Sequence, residues 1–197
     1  MQDLLNKIPL GVRQLIEAMQ AAGFECHIVG GCVRDLLAGV EPSDWDAATN
    51  AAPEQIRAIF PDSYADNDFG TVRVRMPQNA AGDFLEIEAT PYRVESKYTD
   101  KRHPDKVEWA DSIKDDLSRR DFTVNAIAMG YIKEGGKINI DIIDLFGGRD
   151  DLKNKIIRAV RDPDERFLED ALRMMRAASR NQRTSPSGRT MRQEFRK

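Results

Sequence analysis

The segment from residue 71 to residue 90 places the strongest constraint on the fold of this chain. TVRVRM and FLEIEAT both alternate strictly between apolar and polar residues, and the turn-rich stretch PQNAAGD separates them. A period of two is the pattern of β-strands with one buried face, and a short turn between two such strands joins them in antiparallel order. The sequence therefore predicts a β-hairpin inside a sheet that is covered on at least one face.

Segments around this hairpin supply the rest of the sheet and its cover. CHIVGG and DWDAAT have the character of short strands, and NAIAMGYI and KINIDIID are strand-like around a Gly135-Gly136 turn. Helices are predicted for the apolar stripe that starts at Leu10 and ends near Gly23, and for VRDLLAG, PEQIRAIF and IKDDLSRR. YRVESKYTDKRHPDKVEW, residues 92–109, is charged and aperiodic, and a mobile loop is expected there. The predicted fold class is α/β (α+β), with a mixed sheet and flanking helices.

The C-terminal part differs in pattern from the rest. From Pro163 onward DERFLEDALRMMRAASR predicts a continuous helix with an apolar face of Phe167, Leu168, Leu172 and Met175. The last 18 residues carry six Lys or Arg and one Glu, which leaves a net charge of −8 for residues 1–179. The expected organisation is a domain over residues 1–160, a helical segment over 161–180 and a basic, disordered tail over 181–197.

Composition excludes several classes of protein. The formal net charge of −3 gives no global positive field for nucleic acid, so such a partner must be held locally. No apolar run approaches the roughly 20 residues of a membrane span, and MQDLLNKIPL lacks the features of a secretory signal. We expect no membrane partner and a cytoplasmic location. Cys26 and Cys32 are expected to be core residues, and no pattern indicates an oligomeric state.

The GGCVRDLL motif, residues 30–37, places two glycines between a strand and a helix. Glycine allows a ligand to approach the backbone closely, and the N–H groups of a helix start suit a phosphate. Gly31 and Arg34 are therefore candidate phosphate-binding residues. A tight packing turn is the alternative interpretation.

Acidic residues recur at a spacing of two in two predicted strands. Asp44 and Asp46 share one face, and so do Glu86 and Glu88. Neighbouring carboxylates repel each other unless a cation joins them, and Mg²⁺ supplies that charge. Alone, the Asp pair is more typical of a solvated acidic turn, and the alternative for the Glu pair is the polar face of a half-exposed strand. Together with a phosphate loop they favour metal-assisted phosphoryl or nucleotidyl transfer.

Two further clusters extend this hypothesis. In DDLSRRDFTVNA, Arg120 offers a cation to a triphosphate and Asn125 an amide to ribose or phosphate. In the late helix, Asp170, Arg173 and Arg176 follow one another by threes. An ion-pair ladder explains that spacing, but a carboxylate beside a guanidinium also matches the amine and ring nitrogen of cytosine or adenine, and mispairs with uracil or guanine.

With these motifs in order, the sequence closely resembles the class II tRNA nucleotidyltransferases (CCA-adding enzymes) and their bacterial poly(A) polymerase relatives. The resemblance runs from about residue 8 to 178. It is carried by GGCVRDLL with DWD, by EIEATPYR, by DLSRRDFTVNAIAM with IIDLFGGRDDL, and by RFLEDALRMMRA. It implies a nucleotidyltransferase head followed by the first helix of an all-helical neck, with the further neck, body and tail helices of the family expected to be missing.

The resemblance also implies roles for individual residues. Mg²⁺ would lie on Asp44, Asp46 and Glu88, the last preferred to Glu86 because it stands five residues before Arg93. Nucleotide binding would fall to the remaining candidates, namely Gly31, Arg34, Arg120, Asn125, Asp170, Arg173 and Arg176, with Arg120 also counted as catalytic and Asp170 and Arg173 selecting the base. The segment 92–109 corresponds to a flexible element that the family needs for its final adenosine step.

The activity implied by the resemblance is addition of C, A or both to the 3′ end of tRNA from CTP and ATP. The RNA 3′-hydroxyl would attack the α-phosphate in line and release pyrophosphate. Two alternatives stay open. One is a bacterial poly(A) polymerase, which uses the same chemistry. The other is a noncatalytic, truncated head that binds NTP or RNA.

Overall fold

The computed structural model describes residues 2–66, 70–78, 82–96, 106–134, 137–170, 172–183 and 192–193. Within them the helices are α1 (Gln2–Asn6), α2 (Leu10–Ala21), α3 (Gly31–Leu37), α4 (Pro53–Ile59), α5 (Ile113–Ser118), α6 (Gly148–Asn154), α7 (Pro163–Glu169) and α8 (Leu172–Arg183). The strands are β1 (Cys26–Val29), β2 (Trp45–Thr49), β3 (Ser63–Ala65), β4 (Val72–Pro77), β5 (Phe84–Pro91), β6 (Arg93–Ser96), β7 (Lys106–Trp109), β8 (Ile127–Glu134), β9 (Lys137–Asp144), β10 (Ile156–Ile157) and β11 (Arg192–Gln193).

The main sheet is mixed and has the order β3-β4-β5-β2-β1-β8-β9. The predicted hairpin is confirmed, because β4 and β5 pair in antiparallel register from Val72 opposite Ala89 to Pro77 opposite Phe84. Residues 79–81 of its predicted turn, and the predicted Gly135-Gly136 turn between β8 and β9, lie outside the described residues. Within this sheet, β2 and β5 pair in parallel. The mixed α/β class expected from the sequence is therefore confirmed.

The two faces of the sheet bury different amounts of apolar surface. On one face α2 packs through Val12, Leu15, Ile16 and Met19, each at most 1% exposed, and burial of each such side chain contributes about 1.5–3 kcal/mol. Cys26 and Cys32 are buried and free, as expected for core residues. The other face has a smaller cluster that includes Tyr92 and Leu117. This second face therefore has room for polar side chains.

The charge and aperiodicity of the segment 92–109 predicted a loop, but the segment is a loop only in part at most. Its two ends are strands, because β6 and β7 pair in antiparallel register from Arg93 opposite Trp109 to Ser96 opposite Lys106. Tyr92 fixes the base of this hairpin by donating its backbone N–H to Thr49 and accepting from Ala110. Residues 97–105 lie outside the described part of the chain.

The helix predicted from Pro163 is interrupted at Asp170, and its predicted apolar face is wrong at Leu168, Leu172 and Met175, whereas Phe167 packs against the core. Asp170 is extended, with φ −144° and ψ 105°, and its carboxylate accepts from the backbone N–H of Leu172. A short acidic side chain that caps the next helix in this way ends the previous one. The break turns the second helix, so that Met175 is 68% exposed while Arg173 is buried; Leu168, in the first helix, is 66% exposed.

The region after residue 180 is described only in part. Helix α8 continues to Arg183, and β11 pairs in parallel with β10 from Ile156 opposite Arg192. Most of the tail that the sequence predicts to be disordered, residues 184–191 and 194–197, lies outside the described residues. The helices of the described residues include none that is both long and apolar enough to cross a membrane.

Candidate functional site

The candidate acidic residues meet on the second face of the sheet. Asp46 on β2 and Glu88 on β5 are register partners, and Asp44 lies one residue before β2 and is exposed. Burial raises the pKa of Asp46, and the charges of Glu88 and Asp44 raise it further while Arg120 and Arg73 oppose them. Asp46 is thus a half-buried carboxylate among carboxylates, a setting that favours a cation.

Arg73 supplies part of the compensating charge. Its guanidinium lies 2.6 Å from Glu88, 3.6 Å from Glu86 and 2.7 Å from Asp66. Within the described ranges, no three His, Cys, Asp or Glu side chains are gathered closely enough to hold a metal ion. The donor set still fits a divalent cation, because the negative charges that raise the pKa of Asp46 are hard carboxylate oxygens, the ligands that such a cation prefers.

Gly30 brings the phosphate-loop candidate against these acids. It lies between β1 and α3 with φ +77°, a conformation that favours glycine. A Cβ atom at Gly30 would stand 2.9 Å from Nη1 of Arg120 and 3.5 Å from Oδ2 of Asp46, whereas at Gly31 the nearest such atom is Nη2 of Arg34 at 3.7 Å. The sequence singled out Gly31, so it missed that Gly30 makes the close contact.

Arg120 is held by a residue that the sequence analysis did not single out. Asp116, at the buried side of α5, accepts from Nε and Nη2 of Arg120 at 3.1 and 2.8 Å, and from Nε and Nη2 of Arg119 at 3.0 and 2.8 Å. Burial alone would raise the pKa of Asp116, but the charges and hydrogen bonds of the two arginines outweigh it and lower that pKa. The i,i+3 and i,i+4 spacing in DDLSRR was the available sequence signal.

A chain of hydrogen bonds leads from the start of α3 to the later helices. Nη1 of Arg34 donates to Asn125 at 2.8 Å, and Nδ2 of Asn125 donates to Asp121 at 2.8 Å. Nε of Arg176 donates to the other oxygen of Asp121 at 3.1 Å, and its Nη2 donates to Asp170 at 2.8 Å. The structure therefore places four predicted nucleotide-binding residues in one network, in which Asp121 accepts hydrogen bonds from both Asn125 and Arg176.

Arg173 belongs to a second cluster beside this network. Its side chain is 5% exposed, and its Nη1 donates to Glu169 at 2.9 Å. Its Nη2 and Nη1 of Arg166 both reach the backbone oxygen of Arg119 at 3.4 Å. Its Nε is 4.0 Å from Asp170 and is buried with no hydrogen-bond partner among the described residues. Asp170 and Arg173 are therefore neighbours whose hydrogen-bonding edges are partly engaged by the protein itself.

The site has two ends joined through residues 116–125. One end is acidic and contains Asp44, Asp46 and Glu88 with Gly30 and Arg120. The other end pairs a carboxylate with guanidinium groups at Asp170, Arg173 and Arg176. An arrangement of this kind suits a ligand with a charged phosphate tail and a polar heterocycle, one at each end.

Residues 26–158 match a protein family described as the poly A polymerase head domain. Over 164 residues the chain is 49% identical to the CCA-adding enzyme of Ligilactobacillus salivarius, covering 83% of this chain and 37% of that protein. It is 44% identical over 176 residues to the CCA-adding enzyme of Lactobacillus helveticus, covering 89% and 41%. The chain thus spans about two-fifths of the length of these curated relatives.

Solved structures of CCA-adding enzymes are also similar to this chain. The Bacillus stearothermophilus CCA-adding enzyme in complex with CTP superimposes with a TM-score of 0.70 at 37% identity, covering 89% of this chain and 40% of that chain. The Thermotoga maritima CCA-adding enzyme complexed with tRNA superimposes with a TM-score of 0.61 at 28% identity, covering 87% and 37%. The head fold expected from the sequence is therefore confirmed.

Proposed function

We propose a nucleotidyl-transfer function for this chain, which belongs to the poly A polymerase head-domain family. The reaction is addition of C, A or both to the 3′ end of tRNA, with CTP and ATP as donors, in the cytoplasm. The observation that carries the proposal is the two-ended site, in which acids beside Gly30 and Arg120 are linked by a hydrogen-bonded chain to a carboxylate and guanidinium pair. The relatives named as CCA-adding enzymes support it.

Asp44, Asp46 and Glu88 are the residues proposed to hold Mg²⁺. When bound, Mg²⁺ supplies a Lewis acid that lowers the pKa of the attacking 3′-hydroxyl and stabilises the leaving pyrophosphate. The protein's own part is to hold Asp46 and Glu88 opposite each other on one face of the sheet, with Asp44 one residue before β2 and Glu88 paired with Arg73 at 2.6 Å. Asp46 contributes a half-buried carboxylate whose pKa burial raises, although the positive charges of Arg120 and Arg73 act against that rise.

The basic residues of the first end are proposed to bind the triphosphate. Arg120 presents Nη1 beside Gly30, where a phosphate oxygen can approach a backbone without a side chain. Arg34 and Asn125 are hydrogen-bonded to each other, and we assign them to phosphate and ribose contacts. Gly31 opens α3 next to them and contributes backbone N–H.

The second end is proposed to select the base. A carboxylate accepts from the exocyclic amine of cytosine or adenine, while a guanidinium donates to the adjacent ring nitrogen. Nε of Arg173 lies 4.0 Å from Oδ2 of Asp170, and Nη2 of Arg176 lies 2.8 Å from the same oxygen. Uracil and guanine present a carbonyl and an N–H at those positions and would leave both side chains mispaired.

The test is incubation of the purified chain with tRNA lacking its CCA end, Mg²⁺ and each labelled nucleotide in turn. Incorporation of C and then A supports the proposal, and Asp44→Ala should abolish it. Tracts of A instead support a poly(A) polymerase. Binding of CTP or ATP without incorporation supports a noncatalytic head. Absence of both binding and incorporation contradicts all three.

A further inference from the structure

We propose that Asp116 is a positioning residue that aims Arg120 at the nucleotide and couples the phosphate end of the site to the base end. The proposal rests on the proposed function and deepens it by one residue. Among the described residues, the side-chain hydrogen bonds of Asp116 go to Arg119 and Arg120, and to neither the acidic cluster nor the base end of the site. Its influence would pass through the two arginines that it holds.

The direction of Arg120 follows from how Asp116 binds it. The carboxylate engages Nε and Nη2, the side edge of the guanidinium, at 3.1 and 2.8 Å. Both nitrogens donate to the same oxygen, Oδ2, and two contacts on one edge restrain the rotation of the planar guanidinium. The remaining nitrogen, Nη1, lies against Gly30 and on the side of Asp46. Asp116 thus determines where the free donor of Arg120 points.

The same carboxylate fixes the neighbouring turn. Its other oxygen accepts from Nε and Nη2 of Arg119 at 3.0 and 2.8 Å, so both oxygens of one buried side chain are fully used. The backbone oxygen of Arg119 then receives Arg173 and Arg166, each at 3.4 Å. Asp116 therefore orders the guanidinium of Arg120 at the phosphate end. Through Arg119 it also orders the backbone carbonyl that accepts from the arginines at the base end.

The charge balance gives a reason for an acid at this position. The side chains of Arg119 and Arg120 are each 17% exposed, and that of Arg173 is 5% exposed. Adjacent, largely buried cations repel each other. Arg119 and Arg120 share the carboxylate of Asp116, whose side chain is 1% exposed. A neutral residue of the same shape would leave Arg120 free to rotate away from Gly30.

The experiment is a double-mutant cycle on binding of CTP and ATP to the full chain, measured by calorimetry with Mg²⁺ present. Asp116→Asn keeps the size of the side chain and removes its charge. We expect about a tenfold loss of affinity, of the order seen for coupled residues. We also expect almost no further loss when it is added to Arg120→Ala. Asp116→Glu, which retains the charge, should recover part of the affinity.

Asp151→Asn is the matched control. Asp151 is another buried acid that holds an arginine, Arg158, by Nε and Nη2, so its loss should lower stability without coupling to Arg120. If Asp116→Asn is folded by circular dichroism and its effect is additive with Arg120→Ala, as for Asp151→Asn, Asp116 is a structural ion-pair residue and the proposal is overturned. A wild-type chain that binds neither nucleotide overturns the proposed function and this proposal with it.

Should Asp116→Asn fail to fold, Arg120→Lys provides the second measurement. Lysine keeps the charge but cannot form the two-point contact with Asp116. Positioning requires that Arg120→Lys lose about as much affinity as Arg120→Ala. An affinity equal to that of the wild type would show that the charge alone matters and would overturn the proposal.

Discussion

Asp46 and Glu88 stand opposite each other in the parallel pair of β2 and β5, and Glu88 is at once opposite Arg73 in the antiparallel pair of β5 and β4. Cross-strand partners share a face, so the three side chains form one row across the sheet. Glu86 lies two residues from Glu88 on the same strand, opposite Arg75. The row therefore distinguishes two acids that the sequence could separate only by resemblance.

The first prediction follows from this row. Glu88→Gln should lower nucleotide incorporation by about 100-fold or more, because a metal ligand contributes several kcal/mol to charge stabilisation in the transition state. Glu86→Gln, the matched control, should change incorporation by no more than about threefold, as expected for a surface substitution of about 0.5 kcal/mol. Initial rates at saturating CTP and tRNA measure both, and equal losses would contradict the assignment of Glu88.

Much of the fold could be predicted because its signals are local. The period of two around Arg73 and Glu88 is set by the strand itself, and the stripe on α2 by the helix. The β6 and β7 hairpin was missed because its strands are charged and joined by a long segment, so that neither apolar alternation nor a short turn marks them. Pairing there depends on the backbone contacts of Tyr92, which no local pattern encodes.

The candidate site, like the fold, could be predicted from the sequence only where its signals are local. The spacing of two in DWDAAT predicted Asp44 beside Asp46, but it could not show that Gly30 lies against Arg120, ninety residues later. The apolar face predicted for the late helix failed for a related reason. Periodicity assumes one continuous helix, whereas Asp170 uses its side chain to start a new one, which rotates every later residue relative to the earlier turns.

A second prediction compares the two glycines of the GGCVRDLL motif. Gly30→Ala should lower the free energy of unfolding by about 1–2 kcal/mol, because φ at this position is +77° and alanine is strained there. The new methyl group would stand 2.9 Å from Nη1 of Arg120, displace that nitrogen and weaken CTP binding. Gly31→Ala has only an ordinary contact with Arg34 at 3.7 Å and should leave the unfolding free energy nearly unchanged.

Urea unfolding and calorimetric titration with CTP measure the two effects on Gly30→Ala separately. The expected pattern is a loss in both experiments. A Gly30→Ala variant as stable as Gly31→Ala would contradict the strained conformation, and unchanged CTP affinity would contradict the closeness of Gly30 to the phosphate position.

The third prediction concerns pH. Burial lowers the pKa of His27, against the opposing charges of Glu25 and Asp141, and Nδ1 lies 2.8 Å from the hydroxyl of Tyr92. Between the lowered folded pKa and the unfolded value of about 6.5, the unfolded chain binds more protons. Stability therefore rises with pH across that window and is lost as the pH falls below about 6.5.

The check is the slope of unfolding free energy against pH from pH 7.5 to 5. His27→Gln should flatten that slope, because the titrating group is gone. His103→Gln, which removes the other of the two histidines, controls for a general effect of losing an imidazole. A wild-type slope retained by His27→Gln would show that His27 is not the group responsible.

The last prediction separates two roles of Asp170. Its carboxylate caps α8 by accepting from the N–H of Leu172 at 2.9 Å, and it is also the acceptor proposed to read the amine of cytosine or adenine. Asn caps helices about as well as Asp, whereas Ala does not. Asp170→Ala should therefore cost about 1 kcal/mol of stability, while Asp170→Asn should stay within a few tenths of a kcal/mol of the wild type apart from its weakened contact with Arg176.

Both variants should lose the preference for CTP and ATP over UTP and GTP. Alanine removes the acceptor for the exocyclic amine, and the amide of asparagine can turn its N–H₂ toward a carbonyl and no longer rejects the other two bases. Competition titrations with the four nucleotides, run beside thermal unfolding, measure the two properties independently. An Asp170→Asn variant that keeps the nucleotide preference would restrict Asp170 to capping and leave base selection to Arg173.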